Sequence, residues 1–333
     1  MNNLQLTALP LLLGLIISWV VSPLVIYFYR YFGFVVDPKK SKHPGTVHER
    51  AVPKGGGIPV LLGTIIPLLF FLPWDAHVRA LVIGGVLVVT IGTLDDILDL
   101  SPFLRLLTNF LAAIIVIGAG IGINYITNPL GGILHLDQSV FRFEWWGMIR
   151  EIVLWADLFA LLWIPFVMNA VNWSSGIDGQ IAGVVVIAAL TIGVLSFRYH
   201  ADVSQWPVAV AAFALAGAFL GYLPYSFYPQ RMMPGYGGTS FAGFMLAALA
   251  ILSTTKVGTA LVVLGVPLID ALYVGTRRIL SGSSPFRGDS GHLHHRLLGL
   301  GWGKRRVAVF YWLISAILGY IALNLNSQQK LYT

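Results

Sequence analysis

The sequence has no cysteine among its 333 residues, and only 11% of its residues are charged. Without cysteine the chain can form neither a disulfide nor a thiolate metal site, and nothing about its redox compartment follows. Soluble domains carry about 25% charged residues. The shortage of charge therefore excludes an ordinary water-soluble surface. Together with a hydrophobic content of 57%, it predicts an all-α polytopic membrane protein.

Ten apolar segments follow one another along the chain, each near the roughly 20 residues that a membrane helix needs. They are residues 6–29, 57–72, 79–94, 103–126, 152–171, 180–197, 207–223, 240–255, 258–274 and 307–325. The first has no basic residue before it and no small-residue cleavage site after it, so we expect a retained helix. Interruptions such as Gly265 and Pro267 predict broken or tilted helices around a cavity. With no internal repeat or separate soluble domain, residues 1–333 are expected to form one membrane domain.

Positive charge is spread unevenly over the connections between these segments. Of the 21 lysines and arginines, 15 fall on the side that contains the connections after the odd-numbered segments. The positive-inside rule makes that side cytoplasmic in the plasma membrane and places both termini outside. The net charge of +7 thus reflects orientation in the bilayer and not nucleic-acid binding. On the opposite side, the alternating residues 127–150 predict a small hairpin with an aromatic anchor at Trp145 and Trp146.

Two adjacent aspartates, Asp95 and Asp96, end the third apolar segment and fall on the side assigned to the cytoplasm. Ionisable residues at the mouth of a membrane segment are rare and usually functional. A hard divalent cation, which prefers oxygen ligands, would make the pair favourable. A solvated helix cap is the alternative explanation for the same two residues.

Polar residues in three further connections on this side point to anion binding. Lys54 precedes three glycines and could offer an ammonium and backbone donors to a phosphate, or attract anionic lipid. Asn169 and Asn172 share a helical face, and Asp178 lies between two glycines that let its carboxylate turn inward, although a capped helix–turn–helix also explains the glycines. The glycine-rich residues 235–240 open a helix whose positive end could hold an anion.

The last connection on this side contains a histidine cluster. His292, His294 and His295 lie within four residues, Arg296 follows them and Asp289 precedes them. Their spacing is not that of a structural zinc finger, and no cysteine is available to complete one. Beside Arg296 the histidines favour a phosphate or diphosphate clamp over a metal site.

Taken together, these segments resemble the polyprenyl-phosphate N-acetylhexosamine-1-phosphate transferase family, in particular its undecaprenyl-phosphate N-acetylglucosaminyl-1-phosphate transferase branch. The resemblance extends from Asp37 to Arg306. It rests on residues 52–56, 94–96, 169–172, 176–179, 267–270 and 292–297. Ten helices with both ends outside match the family's smaller architecture.

The resemblance implies transfer of a sugar 1-phosphate, expected to be N-acetylglucosamine 1-phosphate, from a UDP-sugar to polyprenyl phosphate at the start of cell-envelope glycan synthesis. Teichoic acid, lipopolysaccharide or O-antigen would be the downstream polymer. It also implies Mg²⁺, with Mn²⁺ as a substitute, and a homodimer. The resemblance assigns metal binding and catalysis to Asp95, Asp96 and Asp178, and substrate binding to Lys54, Asn169, Asn172, Asp289, His292, His294, His295 and Arg296.

Within the aspartate pair, we expect Asp95 to keep the acceptor phosphate deprotonated and Asp96 to bind the metal, with exchanged roles as the alternative. The phosphate would then attack the β-phosphorus of the UDP-sugar in line, a reaction that depends on positioning and charge neutralisation.

The chain departs from the family motifs at three positions. Ser175 replaces the first aspartate of an Asp-Gly-x-Asp-Gly motif, Tyr236 stands where a metal-binding aspartate is expected, and Ser290 replaces an arginine. A phenol with a pKa of about 10 is no hard ligand at neutral pH, although it could hydrogen-bond a phosphate oxygen. Mg²⁺ typically uses one or two protein carboxylates. We therefore expect an active enzyme with a rearranged metal shell.

Two other classes of function fit parts of the sequence. A transporter or flippase would use charges at mid-membrane depth, for which Asp157 and Asp270 are the candidates. An inactive relative that binds polyprenyl phosphate would explain Ser175 and Tyr236. Because most polar motifs lie on one side of the membrane, an interfacial enzyme is favoured.

Overall fold

The computed structural model of the chain describes residues 3–36, 51–128, 131–145, 148–198, 205–253, 256–282, 291–325 and 329–331. Helices dominate this part of the chain, which confirms the predicted all-α class. They are α1 (Asn3–Leu6), α2 (Ala8–Tyr31), α3 (Gly57–Phe71), α4 (Ala76–Leu98), α5 (Pro102–Gly118), α6 (Leu154–Trp173), α7 (Gln180–Arg198), α8 (Trp206–Ser226), α9 (Gly235–Leu252), α10 (Lys256–Val263), α11 (Gly265–Leu280), α12 (Leu293–Gly299) and α13 (Lys304–Asn324).

Each of the ten predicted apolar segments has a helical counterpart. By length and composition, seven helical segments of the described chain can cross a membrane: Leu4–Tyr31, α4, α6, α7, α8, α9 and α13. The α10–α11 pair is an eighth candidate, bent by 81° at the predicted interruption. Helices α3 and α5 have 15 and 17 residues and reach only about 22 and 26 Å, short of the ~30 Å hydrocarbon core. By length and composition alone, seven or eight crossings are thus identified in the described residues, and the predicted count of ten is unconfirmed.

Helix α9 forms the centre of the bundle. All of its residues from Tyr236 to Ile251 are buried, and it packs against α3, α4, α5, α6, α7, α8 and α10. A helix that is apolar and buried on every side belongs to a protein core. By contrast, α2 and α13 expose many large apolar side chains, as helices that face lipid do. The first turn of α9 is consequently surrounded by the ends of other helices.

Close crossings between helices depend on glycine. A Cβ built on Gly217 of α8 would overlap the carbonyl oxygen of Leu11 in α2, and one on Gly221 would overlap that of Leu15. In lipid, small residues that let backbones approach are a main source of helix association. Glycine at these positions therefore brings α2 and α8 into direct backbone contact.

Three antiparallel strand pairs complete the described chain. The strands are β1 (Val35–Val36), β2 (Val52–Pro53), β3 (Tyr125–Thr127), β4 (Ile133–His135), β5 (Val140–Trp145) and β6 (Met148–Val153), paired β1–β2, β3–β4 and β5–β6. The β5–β6 pair, with Val140 opposite Val153, confirms the predicted hairpin between the fourth and fifth segments. Helix α5, the counterpart of the fourth apolar segment, ends at Gly118 instead of continuing to 126, because residues 125–127 pair as β3. Of the predicted aromatic anchor, Trp146 and the side chain of Trp145 lie outside the described structure.

Replacing Gly217 by alanine should destabilise the bundle. The added methyl group overlaps the α2 backbone, and overpacking of this kind typically costs about 1–3 kcal/mol. Thermal unfolding of the detergent-purified protein should show a lower apparent Tm. The matched control is Gly118→Ala at the end of α5, where an added Cβ meets no atom within 4 Å. Equal melting of both variants would contradict the proposed role of the α2–α8 crossing.

Candidate active site

Several helix ends and connections meet at one end of the bundle. The C-terminal end of α4 contacts the start of α9, where Tyr236 N donates to Asp96 Oδ1 at 3.0 Å. The C-terminal end of α6 reaches the same turn through Asn172 Nδ2, which donates to Thr239 Oγ1 at 2.6 Å. These contacts bring together connections that the charge distribution assigns to one side of the membrane.

Asp96 lies against the N-terminus of α9. The approach is close because a Cβ on Gly92 of α4 would overlap the Cα of Gly237. Gly235 has a φ of +65°, which favours glycine, and a Cβ there would overlap Asp96 Oδ2. The positive end of the α9 dipole and the Tyr236 N–H thus both stabilise a negative charge on Asp96.

Asp95 points to a different partner. Its Oδ1 accepts hydrogen bonds from Arg105 Nε at 2.6 Å and from Leu100 N at 3.0 Å, and the residue is 5% exposed. Ser101 caps α5 by accepting from Leu104 N, so α5 starts immediately after α4 and brings Arg105 back to the aspartates. The two neighbouring carboxylates therefore contact different helices, α5 and α9.

The glycines after Lys54 serve packing. A Cβ on Gly56 or Gly57 would come within 3.0 Å of the segment that starts α9, and Gly56 N donates to Met233 O at 3.0 Å. These glycines therefore pack the α2–α3 connection against α9, and the Gly56 N–H is not free for a phosphate. The half-buried Lys54 ammonium acts electrostatically on both aspartates, which suits the predicted anion-binding role.

The Tyr236 side chain faces α5 instead of a ligand space. Its hydroxyl lies 3.0 Å from Asn109 Oδ1 and 3.2 Å from the Arg105 carbonyl oxygen. The Arg105 guanidinium carbon is 5.5 Å from the centre of the tyrosine ring, and Tyr236 is only 7% exposed. The expectation that this phenol hydrogen-bonds a substrate phosphate is therefore wrong for this structure, because helix packing directs the side chain toward α5.

The two predicted asparagines differ in their contacts. Asn172 joins α6 to α9 as described above, whereas Asn169 Nδ2 donates to Pro165 O within its own helix at 2.7 Å. Ser175, where the resemblance led us to expect an aspartate, donates to Asn172 O at 2.6 Å. Asn172 thus fixes the end of α6 beside the first turn of α9, and Ser175 closes the turn that follows.

Asp178 is buried in the α6–α7 connection, apart from the contacts of the aspartate pair. Its Oδ2 accepts from Gln230 N at 3.3 Å, and its Oδ1 lies 3.9 Å from Lys304 Nζ at the start of α13. Within the described residues no group of three or more His, Asp or Glu side chains is placed to hold a metal ion. Asp95, Asp96 and Asp178 thus form no three-carboxylate cluster there. A metal role for Asp178 stays a prediction.

His292 is fixed by a buried charge network. Its Nδ1 lies 2.7 Å from Asp270 Oδ2, its Nε2 lies 3.4 Å from Arg278, and Asp270 Oδ1 also accepts from Leu293 N at 2.8 Å. Asp270 of α11 therefore anchors the first turn of α12. This contact explains Asp270 as part of the histidine connection and removes the reason for placing it in a transport site.

His294 packs against the α6–α7 connection. Its ring stacks on His292 with centroids 5.6 Å apart, and a Cβ on Gly176 would overlap its Nε2. Its other neighbour is His295, with centroids 4.3 Å apart. Because the residue is 1% exposed, burial lowers the pKa of His294 to about 3, with the neighbouring histidines adding to the effect. The neutral His294 thus packs the histidine-containing connection after α11 against the α6–α7 connection, which contains Asp178.

Arg296 lies at the exposed edge of the histidine cluster. Arg296 is exposed, and it donates to Tyr273 Oη at 3.0 Å and to Gly291 O at 3.2 Å. Asp289 and Ser290 lie outside the described residues. The diphosphate clamp predicted for this connection stays a prediction.

Sequence reasoning missed the roles of Arg105, Lys304 and Arg278. Each had been counted only as a cation on the cytoplasmic side. For Arg105 a signal existed, since Asp95 and Arg105 flank a Ser-Pro helix start that turns the chain back on itself. The other transport candidate, Asp157, accepts from Val153 N at 2.9 Å in the first turn of α6, which is an ordinary helix-start contact.

Comparison with known proteins gives a family match that includes the aspartate pair and the start of α9. Residues 78–254, from α4 to the end of α9, match the sequence model of glycosyl transferase family 4. The chain is similar to the probable undecaprenyl-phosphate N-acetylglucosaminyl 1-phosphate transferase of Bacillus subtilis, with 27% identity over 325 residues, 95% of this chain and 84% of that protein.

Two further relatives reach 30% identity. They are the undecaprenyl-phosphate alpha-N-acetylglucosaminyl 1-phosphate transferase of Haemophilus influenzae, over 88% of this chain and 80% of the relative, and the decaprenyl-phosphate N-acetylglucosaminephosphotransferase of Mycolicibacterium smegmatis, over 87% and 74%. The similarity thus extends well beyond the residues that the family match covers.

The buried, neutral His294 predicts a pH-dependent stability. Its pKa in the folded protein lies below the usual 6.5, so an unfolded chain binds the proton more readily. The stabilisation of the folded protein by the neutral His294 is complete above pH 6.5. At lower pH the free energy of unfolding falls, by up to about 1.4 kcal/mol per pH unit. Between pH 7 and 5, wild-type protein should therefore lose more thermal stability than His294→Gln. The exposed His135→Gln variant should keep the wild-type slope, and identical slopes in all three proteins would contradict the prediction.

Proposed function

Given that the chain belongs to glycosyl transferase family 4, we propose that it transfers N-acetylglucosamine 1-phosphate from UDP-N-acetylglucosamine to polyprenyl phosphate and releases UMP. The names of the relatives support the acceptor and the sugar. The structural observation behind the proposal is the pair Asp95 and Asp96, held at the start of α9 with Lys54 and Arg105 beside them. The polyprenyl-diphospho-sugar product would begin a cell-envelope glycan.

Phosphoryl transfer requires mainly positioning and charge neutralisation from a protein. Lys54 and the α9 N-terminus supply positive potential at the aspartate pair, where the acceptor phosphate and the diphosphate would meet. The histidine connection and Asn172 border the same bundle end and would hold the donor, with Arg296 and Asp289 as further donor-side residues. Attack by the acceptor oxygen on the β-phosphorus breaks the bond to UMP, which departs with the electron pair.

The donor set of the aspartate pair fits a hard cation such as Mg²⁺ or Mn²⁺. Carboxylate oxygens are the ligands that these ions prefer, and one or two protein carboxylates suffice when substrate phosphates and water complete the shell. Asp96 would hold the ion, with Asp95 beside it and Asp178 as the further predicted ligand. The ion would neutralise charge on the diphosphate.

The proposed orientation puts this bundle end in the cytoplasm, where a UDP-sugar would be available, and both termini outside. Support comes from the concentration of lysine and arginine in the connections that meet here. The protein would operate as a multi-pass plasma-membrane enzyme, with the bilayer supplying the lipid substrate. A homodimer is part of the proposal by analogy with the family.

Asp96→Asn should lower UMP release by about a hundredfold or more, because it removes the charge placed at the α9 N-terminus. The assay uses purified protein with UDP-N-acetylglucosamine, polyprenyl phosphate and Mg²⁺. Asp137→Asn, in the connection between β4 and β5, is the control and should retain wild-type release. Undiminished release from both Asp95→Asn and Asp96→Asn would refute the site. Binding of the UDP-sugar to wild-type protein without UMP release would instead identify an inactive relative.

Because the chain has no cysteine, single introduced cysteines can report its orientation. In intact cells a membrane-impermeant maleimide should label Asp137→Cys. It should label Ser281→Cys, at the end of α11, only after permeabilisation. The opposite pattern would invert the proposed topology.

A further inference from the structure

Tyr236 contacts Asp96 and also Arg105, the partner of Asp95, through different parts of the residue. Its main-chain N–H donates to Asp96 at 3.0 Å. Its ring lies 5.5 Å from the Arg105 guanidinium carbon, and its hydroxyl reaches the Arg105 carbonyl oxygen and Asn109. A single buried residue is therefore coupled to Asp96 directly and to Asp95 through Arg105.

Arg105 is committed to protein groups on several sides. Nε donates to Asp95 at 2.6 Å and Nη2 to the exposed Asp99 at 3.0 Å. An arginine fork that is stacked on an aromatic ring and bonded to carboxylates is fixed in orientation, which a lysine cannot reproduce. Only 30% of the Arg105 side chain is exposed.

We infer that Arg105 and Tyr236 are positioning residues: Arg105 neutralises Asp95, and Tyr236 holds Arg105 so that Asp95 stays turned toward α5. Of the two adjacent aspartates, only Asp96 is then offered to the ligands. The inference rests on the proposed function and deepens it by dividing the pair. The earlier expectation gave Asp95 the direct chemical role. Its short contact with Arg105 assigns it a supporting one.

Neutralisation explains how two adjacent acidic residues can face a polyanionic substrate. A second uncompensated carboxylate would repel both its neighbour and the incoming phosphates. The Arg105 charge cancels that of Asp95 within hydrogen-bond distance. The arrangement thereby avoids two uncompensated carboxylates side by side at the site.

A double-mutant cycle tests the division. UMP release is measured for Asp95→Asn, Arg105→Gln and the combined variant, with varied UDP-N-acetylglucosamine. Each single change should lower kcat by about ten- to a hundredfold through misplacement and leave KM within about twofold. If the two residues act as one unit, the combined variant should be no slower than the slower single variant. Fold losses that multiply, or an Arg105→Gln variant whose KM alone rises, would overturn the inference.

Conservative and distant variants separate positioning from general damage. Tyr236→Phe keeps the main-chain donor and the ring and should lose only a few-fold in kcat, whereas Tyr236→Ala should match Arg105→Gln. Arg105→Lys should recover part of the activity through its charge. The control is Arg142→Gln, which breaks an Arg–Glu pair of similar length, 2.7 Å, in the β5–β6 hairpin and should leave kcat unchanged. Equal losses in Tyr236→Phe and Tyr236→Ala would contradict the role of the ring.

Thermal unfolding of the metal-free protein gives a readout that does not depend on turnover. The Tm losses of Asp95→Asn and Arg105→Gln should be non-additive, with the combined variant close to the worse single one. Additive Tm losses would refute the functional pairing of Asp95 with Arg105. If wild-type protein releases no UMP but the Tm cycle is coupled, the proposed function fails and the pairing stands. If wild-type protein is active and both cycles are additive, only this inference fails.

Discussion

The contact between the end of α4 and the start of α9 is the constraint on which the site depends. Gly92 and Gly237 meet backbone to backbone, and any side chain at Gly92 would separate the two helices. Their proximity places the Asp96 carboxylate on the first N–H groups of the most buried helix in the bundle. The surrounding helices fix α9 along its length, so the position of this carboxylate is set by the core of the protein rather than by a loop.

A second group of contacts links the histidines and Asp178 to helix α9, which holds Asp96. The end of α6 contacts α9 through Asn172, and the α6–α7 connection contacts the histidines through Gly176 and α13 through Asp178. Through α9, these contacts connect the proposed donor-binding residues to the aspartate pair. This arrangement suits a reaction in which two large substrates must meet at one phosphorus atom.

Much of this organisation could be predicted from the sequence. Apolar length identified every helix that crosses or enters the bundle, since burial in lipid demands long apolar runs. The break near Gly265 and the hairpin before α6 were also predicted, and charge asymmetry grouped the connections that in fact meet. The residue types of the site were identifiable because aspartate, asparagine and histidine beside membrane segments have few structural explanations.

What could not be predicted is which side chain meets which. Arg105 reaches Asp95 only because α5 starts immediately after α4, and Tyr236 turns toward Asn109 because of how α9 rotates against α5. The glycines after Lys54 resemble a phosphate loop in sequence, yet in the structure they accommodate α9. Asp270 resembles an intramembrane charge until His292 is placed beside it. Rotation and register of packed helices are tertiary properties, and one sequence carries little information about them.

The main-chain hydrogen bond to Asp96 has a consequence for how the site can change over time. Every amino acid except proline supplies the same N–H, so the identity of residue 236 is decoupled from the contact that matters to Asp96. A substitution at this position would therefore change the contacts with Arg105 and Asn109 while the aspartate keeps its main-chain donor. The donor to Asp96 belongs to the backbone, so the loss of a motif side chain at residue 236 does not by itself remove it.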